Sequence, residues 1–172
     1  MATPSQDKQL DELYRLIEQI ETAMFTTRRP DGRLVSRPMA TQKQNPVADL
    51  WFVTDVESHK LDELEGDPHV NLAYFDTDSY EWVSVSGTAR VSTDRERIRE
   101  LYQPDWRAWF GKIDETRDGG PEDPRLALVL VDADSVVYMR REKPKPVVLF
   151  EVAKGMVTGS RPEIGETRRL EM

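Results

Sequence analysis

At 172 residues the chain is the size of one compact domain with room for an appended element. Its 24 basic and 32 acidic residues leave a net charge of -8, which opposes binding to nucleic acid or to an anionic membrane. There is no cysteine, and His59 and His69 are the only histidines. Disulfides, zinc–thiolate sites, iron–sulfur clusters, thiol nucleophiles and a histidine-rich metal site are therefore all excluded within one chain.

The N-terminal stretch is polar and acidic, without an apolar signal-peptide core. The longest apolar runs, such as Leu126–Val131, are far short of the ~20 residues that span a bilayer. A soluble cytoplasmic protein is expected. Residues 5–22 carry Leu10, Leu13, Leu16, Ile17 and Ile20 at helical spacing, with Ser5 placed to cap the start. Ala23–Arg29 and Arg33–Lys43 read as two strands of a hairpin. Between them Pro30-Asp31-Gly32 supplies a fixed proline dihedral and a glycine that accepts a positive one. Leu50–Thr54 is a short apolar strand, residues 57–66 a short helix ended by Gly66 and Pro68, and Val70–Phe75 another strand.

Trp82–Val91 alternates, with Val83, Val85, Ala89 and Val91 on one face and Gly87 interrupting the apolar row. A glycine there suggests a bulge or a close backbone approach. Residues 94–102 read as a helix and Asp114–Arg125 as a loop. Leu126–Val131 and Val136–Arg140 are either two strands or one long strand bent at Asp132–Asp134. Beyond Pro146 a last helix to about Val157 is expected. About seven short strands with few intervening helices argue for an α+β antiparallel barrel over a parallel doubly wound sheet. The expected division is a barrel over residues 1–142, with a C-terminal helix and tail over 143–172 packed on it.

No dinucleotide fingerprint, P-loop, zinc-protease motif or nucleophile elbow is present. The charge distribution is more informative. Residues 28–43 hold Arg28, Arg29, Arg33, Arg37 and Lys43 against Asp31 alone, a local +4 within a chain of -8. Such a patch repels polyanions at long range yet can hold one small anion at short range. Pro38 cannot donate a ladder hydrogen bond, which places it at an edge or at a disrupted register. A second candidate lies at Thr54–Lys60. Thr54 and Glu57 fit a capping box, but Ser58 and Lys60 at a helix start also make a plausible phosphate cradle. Together with Arg37 they would form a two-sided clamp.

These residues resemble a family. Met24-Phe25-Thr26-Thr27, Asp31-Gly32 and Ser36-Arg37-Pro38-Met39 are similar to the opening of the FMN-binding split-barrel proteins, relatives of pyridoxamine phosphate oxidase. The general stress proteins are the branch most resembled. The likeness continues through Leu50–Thr54, Ser58-His59-Lys60, Asp67–Val70 and Val83–Ala89. It implies a split antiparallel barrel, a homodimer, and FMN in a cleft at the subunit interface. By motif, Arg37 and Lys60 would hold the FMN phosphate and Ser58 would donate a hydroxyl. Val35, Ser36, Pro38 and Met39 would line the flavin ring together with Arg37's backbone. Trp51, Phe52, Val53 and Thr54 would complete the wall, and Trp109 would cover the ring. The implied function is flavin-dependent oxidoreduction with a nicotinamide as reductant, or flavin sequestration without turnover. The oxidases end in a tryptophan- and arginine-containing substrate segment. The ending Gly165–Met172 does not match it, so oxidation of pyridoxamine phosphate itself is not expected.

Overall fold

The computed structural model of the chain describes residues 5–141 and 165–172, with Val147, Phe150, Lys154, Met156 and Gly159 between them. It opens with α1 (Gln6–Ile20), which lays Leu13, Leu16 and Ile17 on the core. Ser5 occupies the cap position without making a side-chain cap bond. Strands β1 (Thr22–Arg28) and β2 (Leu34–Ala40) follow as the expected hairpin. Gly32 sits at φ 82° in the turn, where a side chain would be strained. Then come β3 (Leu50–Asp55), α2 (His59–Gly66), β4 (His69–Phe75) and β5 (Trp82–Ser92). Two short helices, α3 (Arg95–Leu101) and α4 (Trp106–Phe110), precede β6 (Leu126–Arg141) and β7 (Gly165–Glu171).

All seven strands form one antiparallel sheet in the order β2-β1-β4-β5-β6-β3, with β7 also paired to β6. The two candidate strands at 126–140 are one strand. Its first half pairs with β3, its second half with β7, and β5 runs along both. A register shift falls between Ser86 and Gly87, as the glycine suggested. A Cβ at Gly87 would stand 2.3 Å from the Asp132 carbonyl oxygen, so only glycine lets the strands close there. Val83, Val85 and Ala89 are buried as expected, whereas Val91 at the far end of β5 is exposed.

Curling the sheet encloses a core in which Phe25 meets Phe52 edge-on at 5.2 Å. A second cluster, Trp51, Ile98, Trp106, Leu126, Leu128 and Leu130, lies on the other side of β3 and β6 under α3 and α4. Burial on both faces explains why Leu126–Val131 is continuously apolar. The strand β7 replaces the tail expected there. It is an edge strand rich in charge, with only Leu170 buried, so it carries no alternating apolar signal. The expected closing helix falls largely outside the described residues; Val147, Phe150, Lys154 and Met156 within it are helical. Among the described residues no helix is long and apolar enough to cross a membrane.

Candidate functional site

The two ends of the strand order, β2 and β3, are not paired with each other. A backbone hydrogen bond from Gln42 N to Trp51 O (3.0 Å) ties them just beyond β2, and above it the barrel stays split. A cleft of about 570 Å³ opens at this seam. Pro38 and Met39 of β2 form one side, and Val53 and Thr54 of β3 the other. Trp109 and Phe110 of α4 overhang it, while Ser58 and Lys60 close one end. Past Ser58 and Lys60 it continues into a second groove bordered by Val35, Arg37, Arg29, His59 and Glu63.

Period two along β2 turns Val35, Arg37 and Met39 inward, and Leu34, Ser36 and Pro38 outward. The Arg37 guanidinium is already engaged. Its Nη2 donates to Glu63 Oε2 at 2.7 Å and its Nη1 to Thr27 Oγ1 at 2.6 Å. Thr27 Oγ1 in turn donates to Glu63 Oε2 at 2.5 Å. Burial alone would raise the Glu63 pKa. The hydrogen bonds from Thr27 and Arg37 outweigh that and hold the carboxyl below the ordinary glutamate range. Arg37 is therefore oriented before any ligand arrives.

Lys60 is less well served. Its Nζ donates to Thr54 Oγ1 at 2.5 Å. Burial, and then the neighbouring Arg37 charge, push its ammonium below the ordinary lysine range; Asp55 and Glu63 only partly oppose this. The expected capping box is absent. Thr54 accepts from Lys60, and the Glu57 N–H donates to Asp55 Oδ1 at 2.8 Å. Ser58 stands at the start of α2, and its hydroxyl makes no cap bond.

The fold thus gathers Val35, Arg37, Pro38, Met39, Val53, Thr54, Ser58, Lys60 and Trp109 around two neighbouring grooves that share Ser58 and Lys60. It places the side chains of three of the expected residues elsewhere. The Ser36 hydroxyl meets Thr26 Oγ1 on the outer face at 2.7 Å. Phe52 is fully buried inside the barrel. Trp51 packs edge-on against Trp106 and donates from Nε1 to the Lys43 carbonyl. Glu63, Thr27 and Phe110 are additions. Glu63 follows Lys60 by one turn of α2, and Thr27 neighbours Arg37 diagonally across the β1–β2 ladder, so helix period and hairpin register were the signals.

A family model described as pyridoxamine 5'-phosphate oxidase like matches residues 8–163. The chain belongs to that family. It is 35% identical over 167 residues to protein bli-3 of Neurospora crassa, covering 95% of this chain and 80% of that protein. General stress protein 26 of Bacillus subtilis is 24% identical over 103 residues, 58% of this chain and 68% of that one. Among solved structures, a Jannaschia protein assigned to general stress protein 26 superposes with a TM-score of 0.72 at 26% identity. That match covers 97% of this chain and all of the other. The general stress FMN/FAD binding protein of Xanthomonas citri gives 0.65 at 25% identity, over 81% and 93% of the two chains. The sheet is accordingly the split barrel of this family, and several of its structural neighbours are general stress proteins.

The strained charge of Lys60 makes a prediction. Its folded pKa lies below the ordinary 10.5, so folding disfavours the ammonium; the penalty is complete on the acid side of the folded value and fades as pH rises toward 10.5. Lys60→Met is expected to match or exceed the wild type in stability near neutrality, measured by chemical denaturation without ligand. Its advantage should shrink as pH rises toward the ordinary lysine value. A clear loss of stability at neutral pH would show that Lys60 is a structural ion partner instead.

Proposed function

We propose that the seam cleft binds FMN and that the protein is a flavin-dependent oxidoreductase of the general stress branch. One observation carries the reading. An apolar slot bounded by Met39, Val53, Trp109 and Phe110 runs into two cations, Lys60 and Arg37, that lie close enough to oppose each other's charge. A flat conjugated ring joined to a phosphate suits both halves. Stacking favours the slot, and a phosphate would relieve the repulsion while accepting from Ser58. The cleft volume is also in the range of small-ligand sites.

Bound flavin would supply two-electron redox chemistry, with a nicotinamide as the reductant. The chain's own part is to hold and screen. Lys60, Ser58 and Arg37 anchor the phosphate, and Glu63 with Thr27 keeps Arg37 aimed. Trp109, which is 80% exposed, covers the ring and keeps water from it. Pyridoxamine phosphate itself is not the substrate on this reading, since the C-terminal segment is committed to β7. There Arg168 is tied to Glu12 of α1 at 2.6 Å and to Glu166 at 2.8 Å.

A second copy completes the proposal. Pro38 borders the cleft and also lies on the outer sheet face beside its ladder partner Met24, with Phe75 further along β4. Met24 and Phe75 are both exposed, an apolar face without a partner element among the described residues. A homodimer packed across this face would set the flavin site at the interface. Sedimentation at micromolar concentration should give the dimer mass, and a monomer would contradict this part.

Titration of the visible flavin spectrum tests the function. Arg37→Ala is expected to weaken FMN by roughly 1.5–3 kcal/mol, the scale of a charge-assisted hydrogen bond, and to leave riboflavin nearly unaffected. Equal effects on both would put the phosphate elsewhere. Bound flavin should also be bleached by NADH or NADPH and reoxidised by an acceptor. Binding without bleaching would mean sequestration instead of turnover.

A further inference from the structure

The walls of the seam cleft come from distant parts of the chain. The sheet side ends in the segment Val53–Lys60, which delivers Ser58 and Lys60. The opposite side is α4, five residues long and far too short to be stable by itself. One end of α4 is held by Trp106. That indole is buried, lies edge-on to Trp51 and Tyr102, and donates from Nε1 to Gln42 Oε1 at 3.0 Å. The other end, carrying Trp109 and Phe110, needs its own anchor.

That anchor is Arg125. It stands outside the cleft lining, and its side chain is only 10% exposed. Nη1 donates to the Phe110 carbonyl and Nη2 to the Gly111 carbonyl, each at 2.9 Å. These are carbonyls at the C-terminal end of α4, which the helix cannot satisfy internally. The guanidinium also lies 5.6 Å from the centroid of the Phe110 ring. Its charge is balanced by Asp123, which is fully buried and accepts from Nε at 3.1 Å and from Nη2 at 2.7 Å. Asp123 is fixed in turn by the Gly119 N–H at 2.7 Å and the Arg125 N–H at 2.9 Å. From α3, Arg95 grips the Asp123 and Leu126 carbonyls at 2.8 and 2.6 Å.

The main chain of the same residue reaches the other wall. The Arg125 carbonyl accepts from Val56 N at 2.8 Å, in the turn that leads to Ser58. The next residue, Leu126, begins β6 and pairs with Asp55. One residue therefore holds both sides: its backbone fixes the phosphate-end segment and its side chain fixes the aromatic wall.

We propose that Arg125, paired with Asp123, is the positioning residue of the slot, setting how far Trp109 and Phe110 stand from Met39 and Val53. Its consequence for binding rests on the flavin reading above; its consequence for the wall does not. Lysine would keep the charge but cannot span Asp123, Phe110 O and Gly111 O with one planar fork. Arg125→Lys is thus the informative change, with Asp123→Asn as a second variant that keeps the side-chain shape and removes the counter-charge.

Two readouts decide it. By amide hydrogen exchange, Arg125→Lys should speed exchange at least tenfold across residues 106–123 and leave the amides of β4 and β5 as in the wild type. By titration, it should weaken riboflavin and FMN by the same factor, about tenfold, because it loosens the ring wall and not the phosphate arm. Unchanged exchange at 106–123 would overturn the proposal. So would a loss of protection throughout the barrel in both variants, since Arg125 would then support the whole fold. A larger effect on FMN than on riboflavin would also overturn it, by placing Arg125 in the phosphate field. If the wild-type chain binds neither flavin, the flavin reading fails, and the exchange result alone decides the positioning role.

Discussion

The structure depends on strand β6 being hydrogen-bonded along both edges. β5 follows it from end to end, while β3 takes the other edge of its first half and β7 that of its second. A sixteen-residue strand cannot serve both halves without bending. The irregularity comes at Asp134, which has no partner on β5; beside it the Ala133 N–H donates to Asp49 Oδ2 and Gly87 allows the β5 backbone to close in. β2 and β3 are the two ends of the strand order and do not pair with each other, so the barrel stays open between them. The cleft is the direct result. Its position is set by backbone pairing, and only its chemistry by side chains.

That chemistry is a controlled imbalance of charge. A net charge of -8 spreads over the surface, while the seam gathers Arg37, Lys60 and Arg29 around Glu63. Glu63 holds Arg37 in place at the cost of part of the positive field, while burial and the Arg37 charge disfavour the Lys60 ammonium. A site that trades stability for a waiting cation is what anion binding asks of a fold.

Much of this was legible from particular residues. The Pro30-Asp31-Gly32 turn fixed the hairpin, and its period carried Val35, Arg37 and Met39 to one face. Gly87 announced the register shift, and Pro38 the edge strand. Trp51 and Phe52 stand in the same short segment as Val53 and Thr54, and their side chains pack into the two cores on either face of β3. The Thr54–Glu57 capping box does not form because α2 starts only at His59, with Ser58 at the cap position. Strand β7 was hidden because an exposed, charged edge strand has no apolar period. The Arg125–Asp123 anchor lay in a loop whose polar composition reads as solvent-facing, although two of its charges are buried together.

The central claim is that one seam cleft holds a flavin ring between the sheet and α4, with its phosphate between α2 and β2. A crystal structure of the chain with FMN tests it most directly. The phosphate oxygens should lie within hydrogen-bond reach of Ser58, Lys60 and Arg37, and the ring between Met39 or Val53 and Trp109. A phosphate bound away from Lys60 and Arg37, or a ring outside the β2–β3 seam, would contradict it.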